Sequence, residues 1–185
     1  MKLTVTKRVG DKKSDVKKLR RAGHIPAVLY APEKKGEPIA IDGVEFAAVM
    51  RQVKQGQLST TVFTLMVEGK AMKAIIKGIQ YQVTNYKASH IDFEELIEGI
   101  PVTVKVPIHC TGVAECSGIK LGGFLRQVMR TMEVRSLPHQ IPHELAVDVR
   151  DLGIWQSRRL SDLVFPPGVR PIAPTDEVIV VIAKR

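Results

Sequence analysis

The sequence predicts a mainly β fold with a few short helices, in two domains over residues 1–95 and 96–185. Three observations carry this expectation. The 185 residues are 44% hydrophobic but only 5% aromatic, with a single Trp, so a core must rest on Val, Ile and Leu. Those residue types favour strands. Period-two alternation of apolar and polar residues recurs along the chain. At Gly99-Ile100-Pro101 the texture changes to short apolar runs separated by Gly and Pro, which suits a separate all-β domain.

The elements follow in order. In residues 2–8, Leu3 and Val5 alternate with polar neighbours, a half-buried strand. Gly10 to Lys13 reads as a polar, flexible connection. Ser14 can cap a short helix that runs through Ala22, and Gly23 is placed to end it. Val16 and Leu19 would face inward, while Lys13, Lys17, Arg20 and Arg21 form a row of cations on another face. Residues 25–30 read as a strand, with Pro26 at its start or on an edge. Asp42 opens an amphipathic helix in which Phe46, Val49, Met50 and Val53 share a face. Glu45 completes a capping-box pattern, and Gly56 stops the helix. Runs 61–68 and 70–82 are strand-like, joined at Glu68-Gly69 as a hairpin candidate. Residues 89–93 form a further strand. In the second half, strands are expected over 102–108, 131–137, 145–149 and 176–183.

The charge balance narrows the function. The formal net charge is +9, which implies an anionic partner. Residues 1–95 hold 17 basic and 10 acidic side chains, and residues 96–185 hold 11 and 9. The electrostatic footprint is therefore N-terminal, and Lys7, Arg8, Lys12, Lys13, Lys17, Lys18, Arg20 and Arg21 dominate it. Cations on a rigid helix can match phosphate spacing; the alternative is a solvated helix face. The longest apolar run, Val178 to Ala183, is strand-sized and far below the ~20 residues of a membrane span. A soluble cytoplasmic protein with no membrane partner is the expectation.

Other constellations read as structural. His90 and Asp92 flank Ile91, so a strand puts both on one face, but no nucleophile is tied to them by sequence. Cys110, Cys116, His139 and His143 lack the short spacings of a zinc site, and Pro142 obstructs a helix that would align the two histidines. The Gly-rich stretch 112–123 has neither a phosphate-loop nor a dinucleotide pattern. Trp155 beside Arg158 and Arg159 could stack on a base, though a core or interdomain position is favoured. No enzyme, metal, cofactor or small-molecule substrate is expected.

Two motifs then stand out in order: Leu19-Arg20-Arg21-x-Gly23-x-Ile25-Pro26-Ala27-Val28-x-Tyr30, and His90-Ile91-Asp92-Phe93. With residues 121–142 and the later Pro-Pro-Gly-Val segment, the chain resembles the L-twenty-five family of bacterial large-subunit ribosomal proteins. The likeness is to the two-domain form called general stress protein CTC, and it covers nearly the whole chain. The resemblance implies a β-barrel-like N-terminal domain that binds 5S rRNA, followed by a β-rich second domain. It implies contacts at Arg8, Lys13, Lys17, Lys18, Arg20, Arg21, Tyr30, Lys77, Lys87, His90 and Asp92. The second domain would meet neighbouring large-subunit proteins or rRNA; the alternative is a stress-associated or assembly factor acting mainly through that domain's protein contacts. This chain differs from the family pattern at Asp15, Val16, Ala31 and Tyr81-Gln82-Val83.

Overall fold

In the computed structural model, which describes residues 1–8, 12–31 and 34–184, the alternating stretches of the first half become strands that bury one face each. Leu3 and Val5 turn inward from β1 (Lys2–Lys7), and Ile25, Ala27 and Leu29 from β2 (His24–Ala31). Ile39 and Ile41 do so from β3 (Lys34–Asp42), and Phe63, Leu65 and Val67 from β4 (Phe63–Val67). β5 (Lys70–Tyr81) contributes Ala74 and Ile76, and β6 (Ala88–Glu95) contributes Ile91 and Phe93. The six strands close into a barrel in the order β1-β3-β2-β6-β5-β4. The β1–β4 and β2–β6 pairs are parallel and the other four antiparallel. Closure leaves no open edge to aggregate. Inside, Phe63 and Phe93 meet edge-on, with ring centroids 6.3 Å apart at 82°.

The hairpin expected at Glu68-Gly69 joins β4 to β5. Both residues have positive φ, 49° and 82°, as a two-residue turn matching the strand twist requires. Pro26 lies inside β2, opposite Ala40 of β3. Pairing with β6 begins only at Ala27, so a residue without an N–H is tolerated there. β3 itself has no counterpart among the expected strands.

Both early helices form; Gly23 ends the first and Asp42 caps the second as expected, while the start of the first and the end of the second differ. α1 (Lys13–Arg21) takes Lys12 as its N-cap, and no side chain caps it. The Ser14 hydroxyl lies inside the helix and donates to Asp15 Oδ1 at 3.3 Å, leaving Asp15 as the anion of the first turn. The expected Gly10–Lys13 connection lies outside the described residues except for Lys12 and Lys13. Gly23 ends the helix at φ +86°, its N–H donating to the Arg20 carbonyl. Val16 and Leu19 are half-buried, and no residue of α1 is fully buried.

α2 (Gly43–Gln52) is capped as expected, Asp42 Oδ1 accepting from the Val44 N–H at 3.0 Å. The capping box is not completed. Glu45 Oε1 instead accepts from the Thr4 N–H at 3.0 Å and Thr4 Oγ1 at 3.3 Å, pinning the helix to β1. The helix stops at Gln52, before Gly56, because Val53 turns extended (ψ 129°) and packs partly buried on the core. Phe46 is the helix's buried anchor, with Val49 and Met50 packed against the same core. Gly43 donates to the Gly23 carbonyl at 3.1 Å. A Cβ there would lie 2.5 Å from that oxygen, so only glycine allows the start of α2 to approach the end of α1.

The chain forms two compact units, Met1–Ile100 and Pro101–Arg185. In the second, β7 (Val102–Thr111) buries Val102, Val104, Val106 and Ile108 and is the long strand of a four-stranded sheet. The order is β10-β7-β9-β12, with β9 (Thr131–Ser136), β10 (Leu145–Asp148) and β12 (Arg170–Pro171). A three-stranded sheet, β11-β13-β8, joins β8 (Phe124–Gln127), β11 (Ser157–Arg159) and β13 (Val178–Ala183). One short helix, α3 (Ser117–Lys120), fills the Gly-rich stretch. Cys116 is buried, its Sγ donating to the Leu152 carbonyl at 3.3 Å, which is a structural use of the thiol. Trp155 is not a core residue: it is 72% exposed, with φ +67°. Its N–H, donating to the Ile182 carbonyl at 2.8 Å, is what the fold uses as the chain enters β11.

Candidate nucleic-acid interface

Alternation decides which side chains face outward. With Ile91 and Phe93 inside the barrel, His90, Asp92 and Glu94 of β6 must project from its outer surface. On β2 the same rule turns Val28 and Tyr30 outward beside them, because Val28 pairs with Asp92 and Tyr30 with Glu94. On β5, Gly78 pairs with Asp92 and Gln80 with His90. A bulge between Ile76 and Gly78 leaves Lys77 as the extra residue, a device that re-aims side chains. Lys77 Nζ reaches Glu94 Oε2 at 2.7 Å, and His90 Nδ1 lies 3.2 Å from Asp92 Oδ1. A Cβ at Gly78 would come into van der Waals contact with Asp92 Oδ2, at 3.4 Å, so the glycine keeps that carboxylate clear of a neighbouring side chain.

Arg8 continues the outward row of β1. Its N–H donates to the Pro38 carbonyl at 3.0 Å, and Pro38 pairs with Val28, which pairs with Asp92. Arg8 Nε and Nη1 are buried and have no hydrogen-bond partner among the described residues. A guanidinium in that state is costly until an acceptor arrives. Tyr30 is half-buried, and its phenol is pushed up to about 12, first by burial and then by the carboxylates of Glu94 and Asp92. A phenol is already a neutral donor at physiological pH, and this shift widens the range over which Tyr30 keeps its proton.

Arg20 ties α1 to this surface by hydrogen bonds. Arg20 Nε and Nη2 both donate to the Ser89 carbonyl, at 3.0 and 2.8 Å, across 69 residues of sequence. The fork fixes the helix beside the start of β6 and leaves Lys13, Lys17, Lys18 and Arg21 exposed. Lys87 stands apart, on the exposed loop between β5 and β6, where the Gln82 N–H donates to its carbonyl at 2.8 Å.

The structure thus gathers Arg8, Tyr30, Lys77, His90 and Asp92 on one outer face of the barrel. It places the cations of α1 along that face and Lys87 at its margin. Sequence reasoning missed Glu94, although period-two alternation from His90 and Asp92 points to it. It also missed the backbone role of Arg20, which depends on a carbonyl that no local pattern reveals. Cations held rigidly beside neutral donors and a few carboxylates can bind phosphates and meet 2′-hydroxyls or base edges. Among the described residues no group of three or more His, Cys, Asp or Glu side chains is placed to hold a metal.

Comparison with known proteins agrees with this architecture. Residues 3–93 match the family model described as the Ribosomal L25p family, and residues 101–185 match that described as Ribosomal protein TL5, C-terminal domain. The chain is 47% identical over 185 residues to the large ribosomal subunit protein bL25 of Chlamydia abortus, covering all of both chains. It is 44% identical to the bL25 of Chlamydia pneumoniae and 45% to that of Chlamydia trachomatis serovar L2, again over the full length of each. These relatives carry the name of ribosomal proteins rather than of enzymes. A closed barrel with a cationic helix beside it, a β-rich second unit and these full-length likenesses lead to one conclusion: the chain belongs to the bL25 family of ribosomal proteins.

Proposed function

We propose that the protein is a structural constituent of the large ribosomal subunit and binds 5S rRNA through its basic N-terminal domain, residues 1–95, without catalysis. The observation that carries this reading is the fastening of α1 to β6 by the Arg20 fork, which holds a row of cations beside the outer face of the barrel. Phosphates would rest on Lys13, Lys17, Lys18 and Arg21, and Arg8 would close its open donors on RNA oxygen. Tyr30, His90 and Asp92 would read sugar hydroxyls and base edges. Lys77 would act beside Glu94 and Lys87 from the margin. Residues 96–185 would meet neighbouring ribosomal protein or rRNA, and the protein would reside on cytoplasmic ribosomes.

A titration of the full chain into labelled 5S rRNA across salt tests this. Neutralising about six to eight phosphates gives a log–log salt slope of roughly −4 to −7. Saturable binding well above that to a control RNA, with such a slope, is the expected result. Binding no tighter than to control RNA would refute it. A second reading, an assembly or stress-associated factor acting through protein contacts, is favoured by the exposed Trp155, Leu121 and Val164 of the second unit. It requires residues in that unit to retain a protein partner after RNA is removed.

A further inference from the structure

Beyond the barrel face lies an open cleft of about 760 Å³, bordered by the end of α1, one side of α2 and the β5–β6 loop. Its size is within the ~300–1,000 Å³ of sites that hold a small ligand. Its charged lining is of one sign: Arg20, Arg51 and Lys87, with no Asp or Glu among the lining residues. Phe46 supplies an apolar wall, and Gln82 an amide with both donor and acceptor. Tyr86 also lines the cleft and is 81% exposed. Its φ is +53°, a conformation rare outside glycine, and it is held by its N–H donating to the Gln82 carbonyl at 2.9 Å. The loop is thus ordered by backbone bonds while it presents a bare ring, a pattern found at ligand clamps.

We propose that this cleft seats one unstacked nucleotide of the bound RNA, the base against Tyr86 and the flanking phosphates on Arg51 and Lys87. The inference rests on the RNA-binding reading above, which it extends to a second contact. Charge selects an anionic occupant, and an aromatic ring beside an amide selects one with a flat, hydrogen-bonding face. Continuity favours RNA over an acidic peptide, because Arg20 and Lys87 belong to both the cleft and the candidate interface. Arg20 lines the cleft while its Nε and Nη2 donate to the Ser89 carbonyl, so one residue joins the cleft to the barrel face.

The test is an amide-shift titration of the full ¹⁵N-labelled chain with single-stranded hexauridylate, with hexaglutamate as a parallel probe. Shifts at residues 43–51 and 81–88 with hexauridylate, lost in Tyr86→Ala and weakened about tenfold in Arg51→Ala, are the expected result. Both side chains are removable without touching the core, and unchanged amide dispersion elsewhere confirms the fold. The proposal falls if hexauridylate leaves those amides still, if it moves only α1 and β6, or if hexaglutamate moves them as strongly. The 5S rRNA titration separates the two readings. A wild-type chain that ignores 5S rRNA while hexauridylate still shifts the cleft would refute the 5S assignment and leave the nucleotide site standing.

Discussion

Arg20→Ala is the substitution that separates a cation from a strut. α1 has nine residues and no fully buried side chain, so it lacks the packing that normally holds a short helix. Isolated helices of that length are marginal in water. What ties it down is the half-burial of Val16 and Leu19 and the two bonds from Arg20 to the Ser89 carbonyl at 3.0 and 2.8 Å. Two charge-assisted bonds at an exposed site contribute together about 1–2 kcal/mol after discounting for solvent. Their loss should raise amide exchange in α1 about five- to thirtyfold while barrel amides stay protected. RNA affinity should fall by more than one phosphate contact explains, because the released helix must be reordered on binding. Arg20→Lys sharpens the test. It keeps the charge and loses the fork, so a strut predicts weak binding with an almost unchanged salt slope, whereas a plain phosphate cation predicts recovery. Unchanged α1 exchange in Arg20→Ala, together with full rescue by Lys, would refute the reasoning.

Three further outcomes follow from the geometry. The Tyr30 phenol holds its proton between pH 10 and about 12 in the folded protein, where an unfolded chain releases it, so stability should fall as pH rises through that window. Tyr30→Phe should remove a phenolate absorbance step near pH 12, and a step that persists would show that another tyrosine causes it. Phe93→Ala empties a fully buried site against Phe63 and should cost about 3–5 kcal/mol in denaturant titrations of the barrel unit. Gly43→Ala puts a Cβ 2.5 Å from the Gly23 carbonyl oxygen, and a loss of about 1–3 kcal/mol is expected; a neutral result would mean that α1 and α2 separate freely.

The parts of the fold legible in the sequence are those in which a single segment carries its own signal. Leu3 and Val5, Phe63 to Val67, and Ile91 with Phe93 alternate so regularly that burial on one face is the only economical outcome. Lys34–Asp42 carries no such signal. Its first half is Lys, Gly, Glu and Pro, and it is a strand because β1 and β2 pair with it from both sides. That stabilisation is non-local, and propensity cannot see it. The short strands Phe124–Gln127, Ser157–Arg159 and Arg170–Pro171 are missed for a different reason, being too brief to show a period.

The helix ends make the point in energetic terms. Ser14 and Glu45 both fit capping patterns, yet each side chain takes a different partner: Ser14 the adjacent Asp15, and Glu45 the distant Thr4. A capping bond stabilises by about 1 kcal/mol, so any competing acceptor or donor of similar strength that the fold brings near can displace it. The candidate interface shows the same division. Which residues face outward on β6 follows from alternation, and the cations of α1 follow from helical spacing. That these two sets form one surface depends on the Arg20–Ser89 contact, and that contact exists only once β2 and β6 have paired in parallel. The residue types of a binding surface are therefore written locally, while their assembly is a property of the closed barrel.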